Sequence, residues 1–169
     1  IKQIILNEVT LGQLEKAKLL VASGDFLLAA ELIKEVSGKR LSAFIDHDFS
    51  EKNKIGLIHR EITRVPFAFA ITTNFDFLLE TAYGHKVHSF NWLNISDFFK
   101  YIKKGEFAIL KLHGDAIIDD SHIIAKNDYS GIMKNYLINS ILSSFFSQKT
   151  FLFLGYSFRD PDILKIMED

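Results

Sequence analysis

Phe107-Ala108-Ile109-Leu110-Lys111-Leu112-His113-Gly114-Asp115 is the stretch on which the fold turns: a short run, apolar but for one lysine, that ends abruptly in His-Gly-Asp. A strand with one wet face alternates apolar and polar residues, whereas a strand covered on both faces is apolar almost throughout, as this one is. Phe67-Ala68-Phe69-Ala70-Ile71 and Thr150-Phe151-Leu152-Phe153-Leu154 have the same character. Between these runs lie segments with helical periodicity, over residues 77–83, 95–103 and about 129–146, and residues 122–125 read as a short hairpin strand. Apolar runs alternating with helices mark βα units around a parallel sheet, so residues 65–169 read as the parallel-sheet core of an α/β domain. Its expected core is Phe69, Ile71, Leu78, Ile109, Leu110, Leu112, Phe151 and Phe153.

Residues 1–64 read as mostly helical. Leu11, Leu14, Ala17, Leu19, Leu20 and Val21 recur at helical spacing as far as Gly24-Asp25, and Phe26, Leu27, Ala29, Ala30, Ile33 and Val36 carry the pattern on to Gly38. Two such helices joined by a tight turn make an antiparallel hairpin, expected to cover the sheet as a layer. The pattern does not return at a fixed period, which speaks against a helical-repeat protein. Residues 41–50 read as loop and strand edge. His47 stands between Asp46 and Asp48, but three adjacent side chains cannot converge on one ion. His85 and His88 have no carboxylate at helical or hairpin spacing to complete a metal site.

Composition narrows the function. With 48% hydrophobic residues, 16 Phe and only 2 Pro, the 169 residues suit a single well-packed domain. Lys plus Arg number 20 against 21 for Asp plus Glu, a net charge of -1, so the chain lacks the basic surface that direct nucleic-acid binding requires. The absence of Cys excludes disulfides, Cys-ligated zinc and thiol nucleophiles, and no metal is expected. The apolar runs are far shorter than a membrane span, and the N-terminal residues lack a basic-then-apolar leader pattern. A cytoplasmic protein without membrane attachment is the expectation.

The segments at the strand ends carry the chemistry. Thr72-Thr73-Asn74-Phe75-Asp76, His113-Gly114-Asp115 and Gly155-Tyr156-Ser157-Phe158-Arg159-Asp160 are all polar. In an open parallel sheet the carboxyl ends of the strands share one edge, so these distant segments are expected to meet at a single crevice. Each segment alone has an ordinary explanation. Thr73 with Asp76 fits a capping box, His113-Gly114 a turn, and Gly155 with Asp160-Pro161 a strand-to-helix loop. Taken together, an amide, carboxylates, an imidazole and a hydroxyl at one edge read better as a site.

Ile71-Thr72-Thr73-Asn74-Phe75-Asp76 with Leu78-Leu79-Glu80, then Lys111-Leu112-His113-Gly114-Asp115, then Phe153 through Asp162 resemble, in order and spacing, the motif series of the sirtuin-like family, and more narrowly its prokaryotic branch. The resemblance implies a Rossmann-like, doubly wound parallel sheet and NAD as substrate, attacked at the anomeric carbon of the nicotinamide ribose. It further implies that Asn74 positions the ribose and the attacking water, that Asp76 holds the nicotinamide amide, and that His113 is the general base. Thr72, Thr73, Gly155 and Ser157 would be cofactor-binding, the last two toward the adenosine half.

Two departures from the family shape the expectation. A chain without Cys cannot build the paired-Cys zinc module of sirtuin deacylases, so hydrolysis is favoured, as in the zinc-less NAD glycohydrolases that serve antiphage defence by draining NAD. The family also opens on a strand ending in a Gly-rich loop that receives the pyrophosphate, and no Gly precedes Gly12 here. The chain therefore reads as a single incomplete domain lacking that first strand and loop, weak or inactive alone. Its partners are expected to be NAD, further copies of itself, and a sensor domain or partner protein outside this chain. A non-catalytic nucleotide-binding or assembly module is the competing interpretation, and a protein deacylase a remoter one. Asn74 and His113 are both expected on a polar rim outside the core.

Overall fold

The computed structural model describes residues 11–50, 54–84 and 86–156. Three helices open it: α1 (Leu11–Ala22), α2 (Phe26–Ser37) and α3 (Lys39–Ser50). Asp25 caps α2 by accepting the amide of Leu28 at 3.2 Å, which lets the chain turn from one helix directly into the next. α1 and α2 pack against each other as the expected hairpin.

Residues 41–50, read from the sequence as loop and strand edge, belong to helix α3 instead. Leu41, Ile45 and Phe49 stand four residues apart and form one stripe on a helix. Leu41 and Ile45 bury themselves with Ile33 and Ala116, and Phe49 meets the Phe75 ring edge-on at 5.9 Å. Asp46, His47 and Asp48 are the exposed side of the same helix, where His47 Nδ1 lies 3.1 Å from the Asp48 carboxylate. The polar cluster that suggested a loop is a wet helix face.

The sheet-bearing part comes next, as α4 (Leu57–Ile62), β1 (Ala70–Thr72), α5 (Leu78–Ala82), β2 (His88–Asn91), α6 (Ile95–Ile102), β3 (Ala108–Lys111), α7 (Lys126–Met133) and α8 (Tyr136–Gln148). The three strands are parallel in the order β1-β3-β2, an α/β arrangement consistent with a Rossmann-like fold. β3 takes the central place, and all four of its residues are buried, which is why its run is apolar but for Lys111. β1, at one edge of the described sheet, is only half-buried.

One strand is unexpected and three expectations need correction. β2 escaped notice because His88-Ser89-Phe90-Asn91 mixes polar and apolar residues over too short a span; His88 packs its ring on Tyr101 at 4.6 Å. His85 lies outside the described residues. Residues 122–125 form no strand, because Asp128 reaches back to accept the amides of Ile124 and Ala125 at 3.2 and 3.0 Å and makes them the lead-in to α7. The helix expected over 129–146 is two helices, since the Asn135 side chain caps α8 through the amides of Leu137 and Ile138. Finally, residues 150–154 pair with no strand among the described residues. Phe151 and Phe153 stack toward Phe146, while Leu152 and Leu154 remain 62% and 52% exposed.

The main core gathers Phe98, Leu110, Leu112, Leu142 and Phe145 between the sheet and its helices. A smaller cluster of Ile33, Leu41, Ile45 and Ala116 joins the N-terminal helices to the loop after β3. There Lys34 pairs with Asp128 and Glu31 accepts from Asn127, fastening α2 to the start of α7. Of the expected core residues, Ile109, Leu110 and Leu112 are fully buried. Phe69, Ile71, Phe151 and Phe153 pack half-buried against the main cluster, and Leu78 is also half-buried. No helix among the described residues is long and apolar enough to cross a membrane.

Candidate functional site

Register decides which residues meet. Thr72 stands opposite Lys111 in the β1–β3 ladder, so both strands leave the sheet at one level and the loops beyond them run side by side. Two backbone bonds continue the pairing past the ladder, from Leu112 N to Thr72 O at 2.8 Å and from Ala116 N to Phe75 O at 3.2 Å. The first two polar segments therefore converge. The third contributes Gly155, which borders the same cavity as Thr72, Thr73, Asn74 and Asp76, although no strand delivers it. Ser157 lies outside the described residues.

The cavity measures about 570 Å³ and runs along the edge of β1 that carries no partner strand among the described residues, between α4, the start of α5 and residues 149–156. This volume falls within the range of small-molecule and cofactor sites, roughly 300 to 1,000 Å³. Its walls are largely apolar, with Ile58, Ile71 and Phe151 among them, and polar groups collect where β1 ends.

Each side chain in this region is held differently. Asn74 is exposed, and its backbone amide donates to Thr72 Oγ1 at 3.1 Å, so the turn is fixed without using the Asn74 carboxamide. Asp76 Oδ1 accepts the Leu78 amide at 3.0 Å, at the start of α5, whose N-cap residue is Phe77 and not Thr73. His113 departs from expectation: it is only 4% exposed and does not sit on a rim. Its ring meets Tyr129 edge-on at 5.0 Å, with Nδ1 3.4 Å from the Tyr129 hydroxyl, and it does not border the cavity. The cause is the central position of β3. The chain returns across its end, with Ile123 N donating to His113 O at 2.8 Å, and covers the imidazole.

Sequence reading missed an ionic cluster behind the two loops. Lys111 is 0% exposed. Its Nζ donates to Phe75 O at 3.0 Å, lies 3.2 Å from both Glu80 Oε1 and Asp115 Oδ2, and sits 3.9 Å from the centre of the Phe77 ring. Glu80 also accepts from Ser89 at 2.9 Å, and Asp115 Oδ1 accepts the Ile117 amide at 3.1 Å. The available signal was the lysine itself: a charge inside an apolar, doubly covered strand has to find counter-charges when the chain folds. Tyr129, and Ser121 whose hydroxyl oxygen accepts the Asp115 amide at 2.9 Å, gave no such signal. Among the described residues no group of three His, Asp or Glu side chains is placed to hold a metal ion.

Comparison with known proteins shows the family. The profile described as SIR2-like domain matches residues 68–169, more than half of the chain. The NAD(+) hydrolase ThsA of Cytobacillus dafuensis is 30% identical over 146 residues, covering 85% of this chain and 30% of the relative. ThsA of Acinetobacter baumannii (strain 532279) is 34% identical over 107 residues, 62% of this chain and 22% of the relative. Defense-associated sirtuin 2 of Bacillus subtilis is 26% identical over 147 residues, 84% of this chain and 14% of the relative. The chain thus spans about a third or less of the length of the curated relatives it matches.

Proposed function

The chain belongs to the SIR2-like domain family, and from that premise we propose that the protein carrying it hydrolyses NAD to nicotinamide and ADP-ribose. The observation that carries this reading is the register-locked meeting of the β1 and β3 loops beside a cavity of about 570 Å³. On this reading the cavity takes NAD along the edge of β1, with Thr72, Thr73 and Gly155 against the cofactor and Ser157 toward its adenosine half. Asn74 orients the ribose and a water, and Asp76 faces the carboxamide of the leaving nicotinamide.

The reaction then balances simply. The water oxygen bonds to the anomeric carbon as the carbon–nitrogen bond to nicotinamide breaks, and the bonding pair goes to the pyridinium nitrogen, neutralising it. The water proton passes to His113. For His113 to accept at Nε2, Nδ1 has to carry the ring hydrogen and donate it to the Tyr129 hydroxyl, 3.4 Å away. Orientation rather than acid–base strength is the larger contribution to expect, because the nicotinamide is cationic while bonded and leaves as a neutral molecule that needs no proton. We further propose a doubly wound sheet, and a cytoplasmic setting in which the protein acts as an assembly of its own copies under a sensor, depleting NAD as an antiphage effector.

A second interpretation has an observation in its favour: His113 does not border the cavity, as a nucleotide-binding module without turnover would allow. The two separate on one measurement. Nicotinamide released from NAD by the full-length protein, lost in Asn74→Ala, supports hydrolysis; tight NAD binding with no nicotinamide release in any activated state supports the module.

A further inference from the structure

We propose that Lys111 is the positioning residue of this site, a buried clamp that holds the Asn74–Asp76 loop against the His113–Asp115 loop. This rests on the hydrolase reading above and extends it to a residue outside the cavity.

Lys111 stands at the last position of β3, and its ammonium lies where the two loops meet. Phe75 is the residue between Asn74 and Asp76, so the 3.0 Å bond to its carbonyl fixes the peptide flanked by both. Asp115 is two residues beyond His113, and the same ammonium reaches its carboxylate at 3.2 Å. The third partner, Glu80 of α5 at 3.2 Å, ties in the helix whose Leu78 amide donates to Asp76. An ammonium has three donors, and here one acceptor is available to each: a loop carbonyl, a loop carboxylate and a helix carboxylate. The face of Phe77, 3.9 Å away, closes the remaining side.

A role in charge balance alone does not account for this. Neutralising Glu80 and Asp115 needs no backbone partner, yet Lys111 bonds a carbonyl that already accepts the amide of Ala116 at 3.2 Å. Nor is the lysine a natural choice for stability, because buried ion pairs are often no better than apolar residues of the same shape. A leucine in its place could fill the volume but could not fix two loops at once. Lys111 does not border the cavity, so it acts through Asn74 and His113 and not on the substrate.

The test uses the full-length protein with two variants. Lys111→Met keeps the stem and removes the ammonium. Lys111→Met combined with Glu80→Gln and Asp115→Asn removes the whole cluster charge, so that no buried carboxylate is left without a cation. In each variant that melts cooperatively, kcat for nicotinamide release should fall by about 100-fold, the scale of a misplaced site, with KM changed by no more than about threefold. Hydrogen exchange at the Ala116 amide should rise at least about tenfold while exchange at Leu110 in the ladder stays unchanged. A folded variant that keeps kcat within about threefold, or unaltered exchange at Ala116, overturns the proposal. Failure of both variants to fold also counts against it, because a positioning role leaves the fold standing. If the wild-type protein releases no nicotinamide but exchange at Ala116 rises as stated, the clamp stands and the hydrolase reading is what fails.

Discussion

The loops after β1 and β3 are neighbours by register, yet one is open and the other closed. From the end of β3 onward, Lys111, His113 and Asp115 are 0%, 4% and 8% exposed, whereas from the end of β1 onward Asn74 is exposed and Thr72, Thr73 and Asp76 are half-buried. Both segments are polar and end strands of one sheet, so residue type does not explain the contrast. Position does. β3 has a strand on each side and a returning chain across its end; among the described residues β1 has a partner on one side only, with a cavity on the other. The lesson is that polar strand ends can divide their labour, one forming a rigid backing and one forming the face that a ligand meets.

The sharpest way to break this contrast is through two glycines, Gly114 in the loop after β3 and Gly155 beside the cavity. Gly114 has φ +105, and a methyl group there would lie 2.1 Å from the backbone oxygen of Ser121. Gly114→Ala should cost more than about 4 kcal/mol or abolish folding, measured by urea denaturation, since neither the φ nor the neighbouring backbone can yield. Gly155 has φ +64 with no atom within 4 Å of the added methyl, so Gly155→Ala should cost only about 1 kcal/mol, the strain of the left-handed conformation alone. Equal effects at the two sites would remove the distinction between backing and face.

The core should obey the same division. Leu110, fully buried in the central strand, should lose about 3 to 5 kcal/mol on truncation to Ala, and half-buried Ile71 at the edge about half as much, in equilibrium unfolding. His113→Ala should cost about 1 to 3 kcal/mol because the imidazole is enclosed, while exposed Asn74→Ala should stay within about 0.5 kcal/mol. Both substitutions should abolish nicotinamide release, so a thermal melt separates what the activity assay cannot. The smallest effect belongs to Tyr83. Its hydroxyl is buried with no hydrogen-bond partner among the described residues, burial pushes its pKa up, and its ring stacks on Phe107 at 4.4 Å. Tyr83→Phe should keep the stacking, remove an unsatisfied group, and leave stability unchanged or higher by up to about 1 kcal/mol.

The sequence made the central strand, the helical hairpin and the meeting of the first two loops legible, because each leaves a local trace: a continuous apolar run, a 3.6-residue period, a polar break at a strand end. Tertiary facts left no such trace. The apolar run at 150–154 looks like β3 in composition, but a run becomes a strand only when a neighbour accepts its hydrogen bonds, and composition does not report neighbours. Helix α3 was hidden because Asp46-His47-Asp48 dominates the eye while Leu41, Ile45 and Phe49 carry the structure. His113 was placed on a rim because its own segment is polar; the chain that covers it comes from residues 121–123, which nothing in the His-Gly-Asp motif announces. Lys111, a charge inside an apolar run, is the one local mark of the buried cluster.

The claim on which the account depends is that one crevice is bounded by the open loop after β1 and backed by the closed loop after β3. A crystal structure of the full-length protein with ADP-ribose tests it directly. The account predicts ligand density along the edge of β1, with the ribose within hydrogen-bond distance of Asn74 and its anomeric carbon on the side nearest His113. Density at any other surface, with the cavity beside β1 empty, would contradict it.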